Sequence, residues 1–172
     1  MKKGFYTIMS AQFFSSLADN ALLVAAIEML KTTNSPTWQI PALGAMFALF
    51  YVVLAPFLGA FADAVPKGRV MFFANGIKVV GCLMMLFGGH PLVAYAVVGL
   101  GAAAYSPAKY GILTELLPAK QLVAANGWIE GTTVGSIVLG VLLGGLLVSP
   151  GVSTMLLGFD LPMIDTGINT PP

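Results

Sequence analysis

The stretch FYTIMSAQFFSSLADNALLVAAI, residues 5–27, decides the fold. A membrane helix needs about 20 mostly apolar residues. This run has that length and carries a carboxylate near its middle. An ionisable side chain at the centre of a membrane helix costs about 2.5–3.5 kcal/mol on insertion scales. Leu or Ala would avoid that cost, so Asp19-Asn20 reads as a functional pair facing a cavity or the bundle interior. Gln12, Ser15, Ser16 and Asp19 recur at i, i+3, i+4 and i+7 and share one helix face. The competing role for that face is an interhelical hydrogen bond that only packs helices.

The rest of the chain is of the same kind. Of its 172 residues, 58% are hydrophobic and 9% charged, against roughly 25% charged in soluble domains. That composition excludes a soluble domain and implies an all-α integral membrane protein. The net charge is +1 with no dense basic patch, so no nucleic-acid partner is expected. Lys2-Lys3 precede the first apolar stretch as in a signal peptide. No small-residue cleavage site with a soluble region behind it follows, so the first helix is expected to be retained.

Enzyme readings find little support. Cys82 is the single cysteine and lies in an apolar run, which excludes a disulfide framework. His90 is the single histidine and sits in a Gly-Pro turn, with no nucleophile or metal-ligand cluster around it. Gly99-Leu-Gly101-Ala-Ala-Ala104 has dinucleotide-loop spacing but lies inside an apolar run rather than at a strand-to-helix turn. No catalytic residue, metal or cofactor is expected.

Five runs are long and apolar enough to span, or nearly so: 5–27, 41–62, 70–88, 92–106 and 126–148. Between the last two lies a mostly amphipathic link, 107–125. Residues 149–172 are expected to be a periplasmic loop leading to a sixth helix that this chain lacks. Lys2, Lys3, Lys67, Arg69, Lys109 and Lys120 fall on one side of this arrangement and Lys31 on the other. The positive-inside bias then puts the N-terminus in the cytoplasm. Gly127, Gly131 and Gly135 repeat every four residues, as do Thr132, Ser136, Gly140 and Gly144 on a neighbouring face. Gly99, Gly101 and Ala102 to Ala104 make the fourth run equally slim. Such small residues let membrane helices approach closely.

Three further features carry charge. Lys78 lies about 13 Å into the third run at 1.5 Å per residue, with Asn75 on the same face. It is a natural partner for Asp19 or for an anionic substrate group, unless its stem snorkels outward. Glu130, one turn into the fifth run, suits a cap or gate at a helix N-terminus as well as a transport role. Gly59, Asp63, Lys67, Gly68 and Arg69 cluster between the second and third runs, where charges can lock neighbouring helices in one conformation and release them in another.

That last cluster resembles the link between helices two and three of the major facilitator superfamily, with about two extra residues between Asp63 and Gly68. A closer resemblance is to the bacterial lysophospholipid transporters of that superfamily. It is carried by Ala11-Gln12-Phe13 with Asp19-Asn20-Ala21-Leu22, by Lys67-Gly68-Arg69 through Asn75-Gly76-Ile77-Lys78, and by Gly99 through Tyr105-Ser106-Pro107-Ala108-Lys109-Tyr110-Gly111-Ile112-Leu113, with Glu115 and Asn126-Gly127 beyond. It extends over about residues 8–148.

The resemblance implies a flippase in the bacterial inner membrane. It would move lysophosphatidylethanolamine and related lysolipids from the outer to the inner leaflet, among membrane lipids. An acyltransferase/acyl-ACP synthetase would then reacylate them. It places Asp19, Asn20, Asn75, Lys78 and Lys109 on the substrate path and Gly59, Asp63, Arg69 and Glu130 at a gate. The superfamily is built of two six-helix halves. Five spans then imply an N-terminal bundle truncated before helix six, which needs a C-terminal half and does not transport alone. The alternatives are a facilitator for another solute, such as a drug or metabolite, and a non-transporting membrane scaffold.

Overall fold

The computed structural model describes residues 3–157, without the side chains of Lys3, Ala55, Asp63, Leu156 and Leu157. The described residues form six helices and no strand: α1 (Lys3–Thr32), α2 (Gln39–Ala64), α3 (Lys67–Leu86), α4 (Pro91–Leu116), α5 (Ala119–Leu147) and α6 (Pro150–Leu157). α1, α3, α4 and α5 are long and apolar enough to cross a membrane. α2 is a fifth span when its arms, Gln39–Leu54 and Pro56–Ala62, are taken together. The arms meet at 68°. Pro56 offers no N–H to the carbonyl one turn back and its ring presses on that carbonyl, which places the bend there. The chain is a multi-pass, all-α membrane protein.

Three expectations about boundaries change. The fourth run was expected to stop at Ser106, but α4 continues through Pro107 to Leu116. An internal proline is tolerated in a membrane helix because neighbouring helices and local adjustments satisfy the freed backbone. The fifth helix starts at Ala119 rather than Asn126. The amphipathic link 107–125 is therefore helix on both sides of a short turn at Leu117-Pro118. Lastly, residues 150–157 are helix α6 and not loop. Pro150 suits a first helical position, where no N–H is needed, and the Ser149 carbonyl accepts from Val152 and Ser153. Residues 158–172 lie outside the described residues, so the rest of the expected loop does too.

The ends of α3 and α4 are built locally. Gly88 closes α3 at φ +78°, a conformation open to glycine. His90 then caps α4, its Nδ1 accepting from the Leu92 N–H at 3.3 Å, with Pro91 next to it at the first turn. The lone histidine is thus a structural cap.

α4 sits between α2 and α3, while α1 pairs with α5. Both junctions depend on missing side chains. A Cβ on Gly101 would lie 2.5 Å from the Ala74 carbonyl oxygen and 2.7 Å from Lys78 Cγ; one on Gly99 would strike the Phe47 backbone of α2. Gly140 and Gly144 let α5 approach α1: a Cβ there would lie 2.5 Å from the Leu17 and 2.9 Å from the Ala21 carbonyl oxygen. Gly127, Gly131 and Gly135 differ from the expectation of close contact, since a Cβ on any of them meets nothing within 4 Å. Of the two small-residue faces of α5, the one with Ser136, Gly140 and Gly144 is buried.

Two apolar clusters occupy opposite ends of the bundle. One gathers Phe5 and Ile8 of α1, Ala62, Val70, Leu113, Ala125 and Ile129. The other gathers Ala26 and Leu30 of α1, Leu43, Met85, Ala94, Tyr95 and Val98. The α1 segment between them carries Gln12, Ser15, Ser16 and Asp19. Burial of apolar surface thus fixes the helix ends and leaves a polar layer in the middle.

Candidate functional site

The polar layer opens into a cavity of about 420 Å³. α1 supplies Gln12, Ser15, Ser16, Asp19 and Asn20 to it. The spacing i, i+3, i+4, i+7 places four of these on one face, and that face lines the cavity. α3 contributes Lys78, α4 contributes Lys109 and α5 contributes Thr133. Aromatic rings close another wall, with Phe47 stacked on Tyr95 at 5.1 Å and tilted toward Tyr51 at 6.0 Å. The lining therefore combines paired charges with apolar and aromatic surface.

The centre is an ion pair. Lys78 Nζ donates to Asp19 Oδ2 at 2.6 Å, and the two side chains are 10% and 12% exposed. Neither charge is affordable alone at this depth, but together they are neutral and hydrogen-bonded. Lys78 Nζ also donates to Ser15 Oγ at 2.8 Å and lies 5.4 Å above the Tyr105 ring. The Ser15 hydroxyl in turn donates to Asn75 Oδ1 at 3.1 Å. Tyr95 reaches the Asp19 backbone carbonyl at 3.4 Å, and Gln12 Nε2 donates to Thr133 Oγ1 at 3.1 Å. α1, α3, α4 and α5 are thus tied across the cavity.

A second charged group lies nearer the apolar cluster that holds Phe5. Lys109 is 5% exposed, with Nζ 3.5 Å from Glu130 Oε1 and 4.4 Å over the Tyr110 ring. The Tyr110 hydroxyl donates to the same Glu130 oxygen at 2.5 Å. A third pair, Lys67 with Glu115 at 2.7 Å, joins the start of α3 to the end of α4. Gly111 makes room for it, since a Cβ there would strike the Lys67 stem.

Asp19, Asn20, Lys78 and Lys109 all line the cavity. Asn20 turns its amide back onto the Ser16 carbonyl at 2.8 Å. Asn75 is not among the lining residues; it stands behind Ser15. Glu130 is not a helix-terminal cap: α5 begins at Ala119, so Glu130 lies about three turns in, beyond reach of the terminal dipole. It contacts Lys109 and Tyr110 instead. Gly59 faces open space and Arg69 is exposed, with no ion-pair partner among the described residues. The Asp63 side chain lies outside the described residues.

Sequence reasoning missed the aromatic wall and the Glu115 pairing. Tyr95, Ala102, Tyr105, Ser106 and Lys109 follow an i, i+7, i+10, i+11, i+14 pattern on α4; the first four lie within the expected run, and Lys109 joins them only when the helix is carried through Pro107. The Tyr105 hydroxyl is buried with no hydrogen-bond partner among the described residues. Tyr105→Phe is therefore expected to leave the melting temperature unchanged or raise it, because a buried hydroxyl without a partner costs about 1–3 kcal/mol. A thermal melt in detergent checks this.

The family model described as Major Facilitator Superfamily matches residues 8–161. A protein named Lysophospholipid transporter LplT from Yersinia enterocolitica serotype O:8 is 50% identical over 147 residues, covering 86% of this chain and 36% of that protein. The protein of the same name from Cronobacter sakazakii is 48% identical over 145 residues, covering 84% of this chain and 36% of that protein. That from Yersinia pestis strain Pestoides F is 48% identical over 147 residues, with 86% and 36% covered. The chain spans just over a third of the length of these curated relatives. No solved structure matches it. The family model matches nearly the whole length, and the chain belongs to the Major Facilitator Superfamily.

Proposed function

We propose that this bundle is the N-terminal part of a lysophospholipid flippase of the bacterial inner membrane. Its cargo is lysophosphatidylethanolamine and related lysolipids, moved from the outer to the inner leaflet. The observation that carries the reading is the central cavity, which sets the Asp19–Lys78 pair and Lys109 against an aromatic wall in a chain about half identical to proteins named lysophospholipid transporter. A lysolipid has both parts, a charged headgroup and an apolar tail. Cavities of roughly 300–1,000 Å³ accommodate small ligands, and about 420 Å³ suits a headgroup.

In this reading Asp19 and Asn20 meet the headgroup, and Lys78 or Lys109 attracts its phosphate, with Asn75 supporting Lys78. The N-terminus is cytoplasmic, in keeping with the Lys and Arg distribution. Gly59 and Asp63 near the end of α2 and Arg69 in the first turn of α3 work with Glu130 as the cytoplasmic gate. A C-terminal half completes the alternating-access cavity, and an acyltransferase/acyl-ACP synthetase consumes the delivered lysolipid.

The test is uptake of labelled lysophosphatidylethanolamine by proteoliposomes holding the full-length gene product. Asp19→Ala is expected to reduce uptake about tenfold or more, since a hydrogen bond to a charged group contributes about 1.5–3 kcal/mol. Unimpaired uptake by correctly folded Asp19→Ala protein would remove Asp19 from the mechanism. Absence of lysolipid movement in the unaltered protein would remove the function.

A further inference from the structure

The Asp19–Lys78 pair is backed by a hydrogen-bond relay that starts outside the cavity lining, at Asn75. The Lys78 ammonium has only hydrogens to give, so Ser15 Oγ, 2.8 Å away, must accept from it. The single Ser15 hydrogen is then free for another acceptor. The atom of Asn75 that faces it at 3.1 Å must therefore be the carbonyl oxygen Oδ1. Donor and acceptor roles are thus fixed in one direction along Asn75, Ser15, Lys78 and Asp19. Ser15 lines the cavity and Asn75 does not.

The consequence falls on Asp19. Lys78 meets only its Oδ2, at 2.6 Å. Among the described residues no donor reaches Oδ1, although Asp19 lines the cavity. A lysine without the Ser15 contact could rotate to bridge both carboxylate oxygens or turn toward Tyr105, over whose ring it already lies. Gly101 adds to the constraint from below, because the Lys78 stem runs where its Cβ would be.

We propose that Ser15 and Asn75 are positioning residues of the transport cavity. Acting through Lys78, they hold its ammonium on one oxygen of Asp19 and leave the other oxygen turned to the cavity as an acceptor for cargo that carries an N–H or O–H donor. The cargo part of this statement rests on the lysolipid reading above; the hydrogen-bond relay does not.

Two measurements on the full-length gene product separate them. The first is the labelling rate of the Lys78 amine by an N-hydroxysuccinimide ester, quantified by mass spectrometry. Ser15→Ala and Asn75→Leu are expected to raise it several-fold, and Ser15→Thr, which keeps the hydroxyl at a half-buried position, to restore it. The second is lysophosphatidylethanolamine uptake in proteoliposomes. Ser15→Ala and Asn75→Leu are expected to raise KM several-fold with little change in Vmax or melting temperature, and Ser15→Thr to recover the original KM. Unchanged labelling in both variants would overturn the relay. Raised labelling with unchanged KM would overturn the positioning role, as would KM, Vmax and melting temperature all worsening together. If the unaltered protein moves no lysolipid but the labelling pattern holds, the relay stands and the lysolipid reading falls.

Discussion

Replacing Lys78 with methionine is expected to destabilise the bundle by about 3–5 kcal/mol, the cost of leaving one member of a buried ion pair without its partner. Methionine preserves most of the stem, which packs along Gly101, so the loss reports on the charge rather than on packing. Asp19→Asn should cost a similar amount, since it leaves the ammonium with only neutral acceptors and no counter-charge. The double substitution Asp19→Asn with Lys78→Met leaves no uncompensated charge at this depth. It is expected to recover most of the stability lost by either single change. Thermal melts of the four proteins close a double-mutant cycle. Simple addition of the two single losses would mean that the 2.6 Å contact does not couple the residues. Transport should not recover with stability in the double variant, because the cavity would have lost both of its central charges.

Gly101→Ala is the second change with a large expected effect. Its Cβ would lie 2.5 Å from the Ala74 carbonyl oxygen and 2.7 Å from Lys78 Cγ. The first of these is backbone and cannot rotate away, so α3 and α4 must separate. Overpacking of this kind costs about 1–3 kcal/mol. The displaced Lys78 stem would also lose its reach to Asp19, which adds part of the ion-pair loss. Gly131→Ala is the matched control, with nothing within 4 Å of its Cβ and no expected loss. Melting temperatures of the two alanine variants should therefore differ by several degrees in favour of Gly131→Ala. Equal stability would show that the α3–α4 approach tolerates a methyl group. In Gly101→Ala, adding Lys78→Met should cost less than it does alone, because the pair is already disturbed.

The two expected results concern different links in the same chain of causes. Gly101 lets α3 lie close to α4, that closeness brings Lys78 across toward α1, and Asp19 on α1 receives it. A charge contact in the middle of a membrane bundle is in this sense set by a missing side chain on a third helix.

How much of this was legible in the sequence differs from residue to residue. The cost of Asp19 in an apolar run marked it from composition alone, and the i, i+3, i+4, i+7 spacing put Gln12, Ser15 and Ser16 beside it. Both inferences need only helix periodicity and the low polarity of the bilayer. Lys109 was harder to place, since Pro107 signals a helix end in water but not inside a bundle that can satisfy the backbone around it. Carrying α4 through Pro107 turns Lys109 from a link residue into a buried cavity residue. Glu130 moved in the same way once α5 was seen to begin at Ala119.

By itself, the sequence determined the membrane class, the α-helical spans and the polar face of the first helix, because burial cost and periodicity are local properties of a run. Only the tertiary structure decided which partner each charge takes, which glycines mediate close approach, and that Asn75 stands behind Ser15 rather than in the cavity. Those depend on which helices touch and at what height. That is set by the two apolar clusters at the ends of the bundle, and no single run of sequence specifies it.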